Sequence, residues 1–250
     1  MNTMCSRFAI FSDVHANLPA LNAVLADIDR HGITRIYCLG DVVDFAPWPN
    51  EVIALLRERQ IPVLRGNHDQ RIAGNEPVTP MAKHSPEERD ARADAIALSK
   101  RTITAENRRW LRSLPASILL EQPRRILLVH ASPRSLSEYL YADTPANTLL
   151  AFPQLQTVDA LICGHTHFAH VRTVNTPEGR PLVFANPGAV GRIKPGQPPA
   201  SWLSGDVQEG ALSLTIKTVN YDVQQVAIAI RQSNVPDFYA DELTRRIAQW

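Results

Sequence analysis

The chain has 250 residues, 44% apolar and 20% charged, with Lys+Arg 26 against Asp+Glu 25 and a formal net charge of +1. That balance excludes a disordered polyelectrolyte, whose low hydrophobicity and high charge prevent a core from forming, and argues against a protein that coats extended nucleic acid, which needs a strongly positive face. No apolar run approaches the roughly 20 residues of a membrane span, and Met1–Ser6 has neither the charged nor the apolar region of a secretory leader, so the expected compartment is the cytoplasm.

Strand and helix signals alternate in the first third. Arg7–Ser12 reads as a short strand, Asn17–His31 as a helix with Leu18, Leu21, Leu25 and Ile28 at helical spacing and Gly32 as its stop. Arg35–Leu39 predicts a second strand, Asn50–Arg59 a helix and Ile61–Leu64 a third strand, an order that implies right-handed βαβ crossovers and a mostly parallel sheet. Gly74–Ser113 is polar and helix-prone around Glu87–Lys100 and Ala105–Arg112, which predicts a helical excursion from the core, or a lid, at about 74–114. Ser117–Gln122 and Arg124–Val129, separated by Pro123, predict a hairpin, and Val158–Cys163 a buried strand. Ala169–Thr176, Arg180–Ala185, Ala200–Val207 and Ala211–Tyr221 predict antiparallel strands, followed by helices at Asp222–Gln232 and Pro236–Gln249. The length allows one substantial core, and residues 1–250 read as a single domain.

Five polar segments sit directly after apolar strands: Ser12-Asp13-Val14-His15, Gly40-Asp41, Gly66-Asn67-His68-Asp69, Val129-His130 and Gly164-His165-Thr166-His167. The carboxyl ends of parallel strands converge on one edge, so these segments deliver imidazoles, carboxylates and an amide to one crevice. Any one of them alone is an ordinary cap or a satisfied core residue. Together they are not explained that way, because polar groups are rarely buried without partners. The glycines at 40, 66 and 164 let the backbone turn and keep space open. Imidazole, carboxylate and amide without thiolate suit divalent Mn, Fe, Zn, Co or Ni. Seven candidate ligands (Asp13, His15, Asp41, Asn67, His130, His165 and His167) are too many for one ion and suit two, held about 3.5–4 Å apart by a bridging carboxylate. The Asp-x-His and His-x-His spacings put alternate side chains of an extended segment on one side. Cys5, Cys38 and Cys163 are far apart, signal neither a disulfide framework nor a thiolate site, and read as small buried hydrophobes.

In these five motifs and their order, the sequence resembles the calcineurin-like metallophosphoesterase superfamily. Asn186-Pro187-Gly188, Val129-His130-Ala131-Ser132-Pro133 and the short chain are similar to its small bacterial phosphodiesterase branch. The resemblance implies an α/β fold of two mixed β-sheets packed as a sandwich flanked by helices, in four layers. It implies Asp13, His15 and His167 on one metal, Asn67, His130 and His165 on the other, and Asp41 bridging. His68 then faces the phosphoryl group as candidate general acid, with Asp44 holding its other ring nitrogen and Asp69 as the alternative. Relatives that act on phosphoproteins have an Arg where Phe45 stands and a Glu where Asp69 stands. These departures argue against a protein phosphatase and leave any phosphate-clamping arginine unassigned.

The implied activity is that of a dinuclear metal-dependent phosphoesterase, a phosphodiesterase before a monoesterase, in which a metal-bridging hydroxide attacks phosphorus in line. The alternatives are a phosphomonoesterase, a nucleotide or dinucleoside polyphosphate hydrolase, or a non-catalytic scaffold of the same fold. The expected partner is a small phosphate ester or nucleotide, with no membrane and no extended nucleic acid. Of the remaining features, His31 reads as a helix-end cap and His170 as structural. His84, beside Lys83, Arg89 and Arg92, lies on a solvated helical face or in a lid that touches substrate. Arg134 and Lys194 are candidates to meet a phosphate, and Trp48 reads as packing before base stacking.

Overall fold

Strand β1 (Ser6–Phe11) sets the layering, because successive side chains of a strand point to opposite faces. Phe8 and Ile10 enter a cluster with Leu39, Ile126, Leu128, Ile162 and Leu203, while Ala9 and Phe11 enter another with Val24, Ile28, Val52 and Leu56. The first cluster lies between two sheets and the second lies under helices. The computed structural model describes residues 6–80, 82, 84–121 and 124–247.

One sheet has four strands in the order β2 (Ile36–Cys38), β1, β8 (Ala200–Gln208), β9 (Ala211–Val219). The other has five, in the order β3 (Ser117–Leu120), β4 (Ile126–Val129), β5 (Ala160–Ile162), β7 (Pro181–Asn186), β6 (His170–Asn175). Pairs β1–β2, β4–β5 and β5–β7 are parallel, and the others are antiparallel. Helices α1 (Leu18–Arg30), α2 (Pro49–Glu58), α3 (Asn67–Gly74), α4 (Pro86–Thr102) and α5 (Ala105–Ser113) cover the outer face of the first sheet. Helix α6 (Ala146–Leu150) and a 3₁₀ turn at Pro153–Gln156 cover the second sheet, where Leu149, Phe152 and Leu155 meet Leu161 and Phe184. Helices α7 (Val223–Arg231) and α8 (Phe238–Ile247) pack with Ala91 and Ala95 of α4 in a further cluster. The chain therefore forms the expected α/β sandwich of two mixed sheets flanked by helices.

Local chemistry explains most of the boundaries. Asn17 caps α1 by accepting from Ala20 N–H at 3.2 Å, and Trp202, fully buried in β8, donates from Nε1 to Asp27 of that helix at 2.9 Å. The hairpin between β3 and β4 pairs Ser117 with Val129 through to Leu120 with Ile126, while the predicted turn residues 122 and 123 lie outside the described residues, as do Cys5 and the end of the last helix from 248.

Two expectations need correction. The predicted third strand, Ile61–Leu64, is a single parallel bridge of Val63 to Cys38. Pro62 has no N–H to extend the ladder, although its carbonyl accepts from Cys38 N–H at 3.0 Å. The chain then turns into α3, a helix not anticipated because its sequence, Asn67-His68-Asp69-Gln70-Arg71, lacks an apolar stripe.

Candidate metal centre

The loops after β1, β2, β4 and β5, together with the start of α3, meet at one edge of the sandwich. Backbone bonds zip the first two: Asp13 N–H donates to Gly40 C=O at 3.0 Å, His15 N–H to Asp41 C=O at 2.9 Å and Ala16 N–H to Val42 C=O at 2.9 Å. Asp69 ties in the start of α3, accepting from Asp41 N–H at 2.7 Å, Val42 N–H at 2.9 Å and Gly66 N–H at 2.9 Å. Asn186 braces the fourth by donating to Gly164 C=O at 2.7 Å and to Thr166 Oγ1 at 3.0 Å.

Local strain is concentrated here. Of eleven non-glycine residues with positive φ among the described residues, eight lie in these loops: Asp13, His15, Ala16, Asp41, Asp44, Phe45, His165 and His167. Such backbone persists only where surrounding bonds over-determine it, and it clusters at functional sites. Gly40 has φ +99°, and a Cβ at Gly66 would collide with the Asp41 carboxylate. Gly66 itself has φ −89°, so it is needed for close approach rather than for an unusual turn.

All nine predicted site residues come together. Asp13, His15 and His167 form one buried group, and Asp41, His130 and His165 a second, with the ligand atoms of each within 4.8 Å of one another. Asn67 places its amide oxygen 3.1 Å from His130 Nε2. Asp41 faces both groups: Oδ2 lies 3.4 Å from His130 Nε2 and 4.0 Å from His15 Nε2, while Oδ1 accepts from His68 N–H at 2.8 Å. His68 stands beside them, its Nδ1 2.6 Å from Asp44 Oδ2. Asp69 is committed to backbone donors, so Asp44 is the carboxylate on the His68 ring.

The donor set fits divalent cations. His15, His130 and His167 each place Nδ1 on a backbone carbonyl, of Val43 at 3.2 Å, Leu39 at 2.9 Å and Arg192 at 2.8 Å. This puts the Nδ1 proton on the carbonyl and turns the Nε2 lone pair inward, the arrangement that orients metal-binding imidazoles. His15 Nε2 and His167 Nε2 then face each other at 3.2 Å. Asp13 Oδ1 and His165 Nε2 are buried without a hydrogen-bond partner. Acceptors aimed at acceptors are costly unless a cation lies among them.

The electrostatics agree with that reading. Burial would raise Asp13, but His167 and His130 hold it down at about 2. Asp41 is likewise held well below the carboxylate range, against burial, by His130 and His68. Burial pushes His165 down to about 3, helped by His130, and also lowers His15 and His167. Burial opposes a proton on His130, yet Asp41 raises it to about 9, so a cation taking Nε2 displaces that proton.

These residues floor a cleft of about 420 Å³. Its walls hold residues the sequence did not single out. Arg71 is one helical turn beyond His68 on α3, with Nη1 3.3 Å from His68 Nδ1, and no ion pair joins it to a carboxylate among the described residues. Recognising α3 would have exposed it, since i and i+3 share a helix face. Tyr139 and Tyr141 also line the cleft, and they flank buried Leu140 in an alternation visible in the sequence. Arg192 lies over the Phe45 ring at 4.3 Å and is paired with Glu88 at 3.5 Å and Glu242 at 3.7 Å. Phe45 itself packs against His15 and His68 with ring centroids 5.0 and 4.9 Å away.

Lys194 and His84 line the cleft, His84 at 3.5 Å from Glu88. Arg134 does not: it is paired with Glu138 and lies over Phe152, 5.0 Å from the ring centroid. Trp48 packs in the cluster around α7 and α8, His31 closes α1, and His170 packs against Phe184 at 4.7 Å.

Comparison with known proteins gives a consistent answer. The chain is 31% identical over 256 residues to the uncharacterized protein MJ0912 of Methanocaldococcus jannaschii, covering 95% of this chain and 97% of that one. It superposes on a metallophosphoesterase from Sphaerobacter thermophilus with a TM-score of 0.72 and 30% identity, covering 95% and 98% of the two chains. The hypothetical protein PH1004 from Pyrococcus horikoshii shares the fold, with a TM-score of 0.77, 22% identity and coverage of 95% and 97%. The profile of the calcineurin-like phosphoesterase superfamily domain matches residues 7–210, a span that contains all of the ligand-bearing loops. The chain belongs to the calcineurin-like phosphoesterase superfamily.

Proposed function

We propose that this protein is a dinuclear metal-dependent phosphodiesterase in which Asp13, His15 and His167 hold one divalent cation, Asn67, His130 and His165 hold the other, and Asp41 bridges them. The observation that carries this reading is the pair of buried acceptor groups joined by one Asp41 oxygen, 3.4 and 4.0 Å from an imidazole of each. When bound, two divalent ions lower the pKa of a water between them and neutralise phosphate oxygens. His68, held by Asp44, protonates the leaving oxygen as the phosphorus–oxygen bond to it breaks and the bond to the water oxygen forms. Arg71 contacts a phosphoryl oxygen from the same side as His68. The diester preference draws on the family resemblance and on a cleft of about 420 Å³, which has room for a substituent on each side of the phosphorus.

The same reading takes residues 1–250 as one catalytic domain with helices at about 74–114 forming part of the cleft rim, manganese as a competent metal, and the cytoplasm as the site of action. Cys38 and Cys163, both free and buried, are compatible with a reducing compartment. Among the described residues no helix is long and apolar enough to cross a membrane.

The test is turnover of bis-p-nitrophenyl phosphate against p-nitrophenyl phosphate by protein reconstituted with Mn²⁺, with bound metal measured on the same sample. Faster hydrolysis of the diester, abolished by chelation and restored by metal, is expected. Monoester preference would overturn the diester assignment. Absence of turnover on both, with no bound metal, would favour the scaffold.

A further inference from the structure

Tyr139 and Tyr141 stand where the hydrolytic chemistry has no need of them. Among the described residues five large apolar side chains are exposed, and these two, at 38% and 40%, are the aromatic ones. Both line the cleft over the metal-ligand groups. Leu140 between them is buried, so the segment anchors itself through one side and presents both phenol rings on the other. The rings are nearly parallel, 10° apart in orientation, with centroids separated by 5.8 Å. A separation of 5.8 Å is too small to admit a third ring between them, so the pair acts as one stacked unit on which a flat ligand lies against an outer face rather than in a slot. Tyr139 ends the ledge 4.4 Å from the His165 ring, and Tyr141 meets Phe168 edge-on at 6.1 Å.

This geometry asks for a ligand with two unlike parts joined by a short link. One part is an anionic phosphorus centre over the floor, and the other is a flat aromatic face. A nucleobase supplies such a face, and stacking accepts any base because every base has one. A cleft of about 420 Å³ is within the usual size of a small-ligand site, which suits an ester of mononucleotide size. An aliphatic phosphodiester would leave both rings in water.

We infer that Tyr139 and Tyr141 are a base-stacking ledge and that the substrate is a nucleoside phosphodiester of mononucleotide size. The inference rests on the phosphodiesterase reading above and adds the substrate class. Base–aromatic stacking is worth about fivefold to a hundredfold in binding when the ring is replaced by alanine.

Two esters with the same leaving group and the same scissile bond test it: thymidine 5′-(p-nitrophenyl phosphate) and methyl p-nitrophenyl phosphate, each with Mn²⁺-loaded protein. The nucleoside ester should have a kcat/KM about tenfold higher or more, carried by KM. Tyr141→Ala should shrink that ratio about fivefold or more, and Tyr141→Trp should keep it. Tyr141 is the diagnostic position, because Tyr139 also touches the His165 ring. Equal kcat/KM for the two esters, or an undiminished ratio in both Tyr141→Ala and the double variant with Tyr139→Ala, would overturn the ledge while leaving the phosphodiesterase reading in place. If neither ester turns over, that reading fails and calorimetry decides the ledge. Thymidine 5′-monophosphate binding more tightly than 2-deoxyribose 5-phosphate, with the difference lost in Tyr141→Ala, supports it, and equal binding overturns it.

Discussion

The floor of the cleft and its walls are built on different physics. The floor residues Asp13, Asp41 and His130 are fully buried, lie on strand-end loops, and are fixed by backbone bonds and neighbouring imidazoles. The wall residues Arg71, Tyr139 and Tyr141 belong to a short helix and an extended segment outside the sheets and keep exposed surface. A floor of this kind is over-determined: each ligand is held by a residue that another loop provides, as when Asp13 Oδ2 accepts from His165 N–H at 3.0 Å. A wall side chain can change without disturbing its neighbours. Under the proposed function the floor sets the class of reaction, and the walls set which molecule undergoes it.

The sharpest way to break this contrast is Asp41→Ala. If the floor is one unit, both metals are lost together and kcat/KM falls about a thousandfold or more, because several kcal/mol of charge stabilisation disappear at about 1.4 kcal/mol per factor of ten. Metal analysis alongside the rate decides the matter, and retention of one tightly held ion would show two independent halves. His68→Ala comes next. It should leave metal content as in the parent and lower turnover by about 10²–10⁴ for esters of poor leaving groups, with a smaller loss for p-nitrophenyl esters, which depart without a proton. A loss that is the same for good and poor leaving groups would remove the general-acid role, because His68→Ala keeps the backbone N–H that Asp41 Oδ1 accepts and removes only the ring.

The same contrast explains what the sequence made legible. The floor was readable because its chemistry is punctuated: apolar strands stop at Asp, His, Asn or Gly, and those stops recur in order. Sheet layering was readable from alternation, as in Phe8, Ala9, Ile10 and Phe11. Helix α3 was not, because its start is fixed by Asp69 on the backbone of the second loop and only Ile72 and Ala73 of its apolar side chains join the core. Missing α3 also hid Arg71. The Ile61–Leu64 segment has the composition of a strand, but Pro62 and the nearby start of α3 limit it to one bridge. The tyrosine ledge left a pattern in the sequence, two aromatics around a leucine, with nothing in that pattern to say which side faced the cleft.

On the walls, Arg71→Ala should raise KM about tenfold to a hundredfold with bound metal unchanged, the range expected for one charge-assisted contact to phosphate, and Arg71→Lys should recover only part of it because a point charge cannot reproduce the planar fork. A fall in kcat with KM unchanged would instead assign Arg71 to the proton on His68, whose Nδ1 lies 3.3 Å away. The smallest effect belongs to Arg134. It sits at a motif end and reads in sequence as a phosphate contact, yet its guanidinium is turned to Glu138 and to the face of Phe152. Arg134→Ala should therefore leave kcat and KM for both classes of ester within about twofold, since an exposed i,i+4 ion pair contributes little and is screened by salt. Should Arg134→Ala raise KM as Arg71→Ala does, the boundary drawn between cleft and surface would be misplaced, and residues 132–138 would have to swing inward when substrate binds.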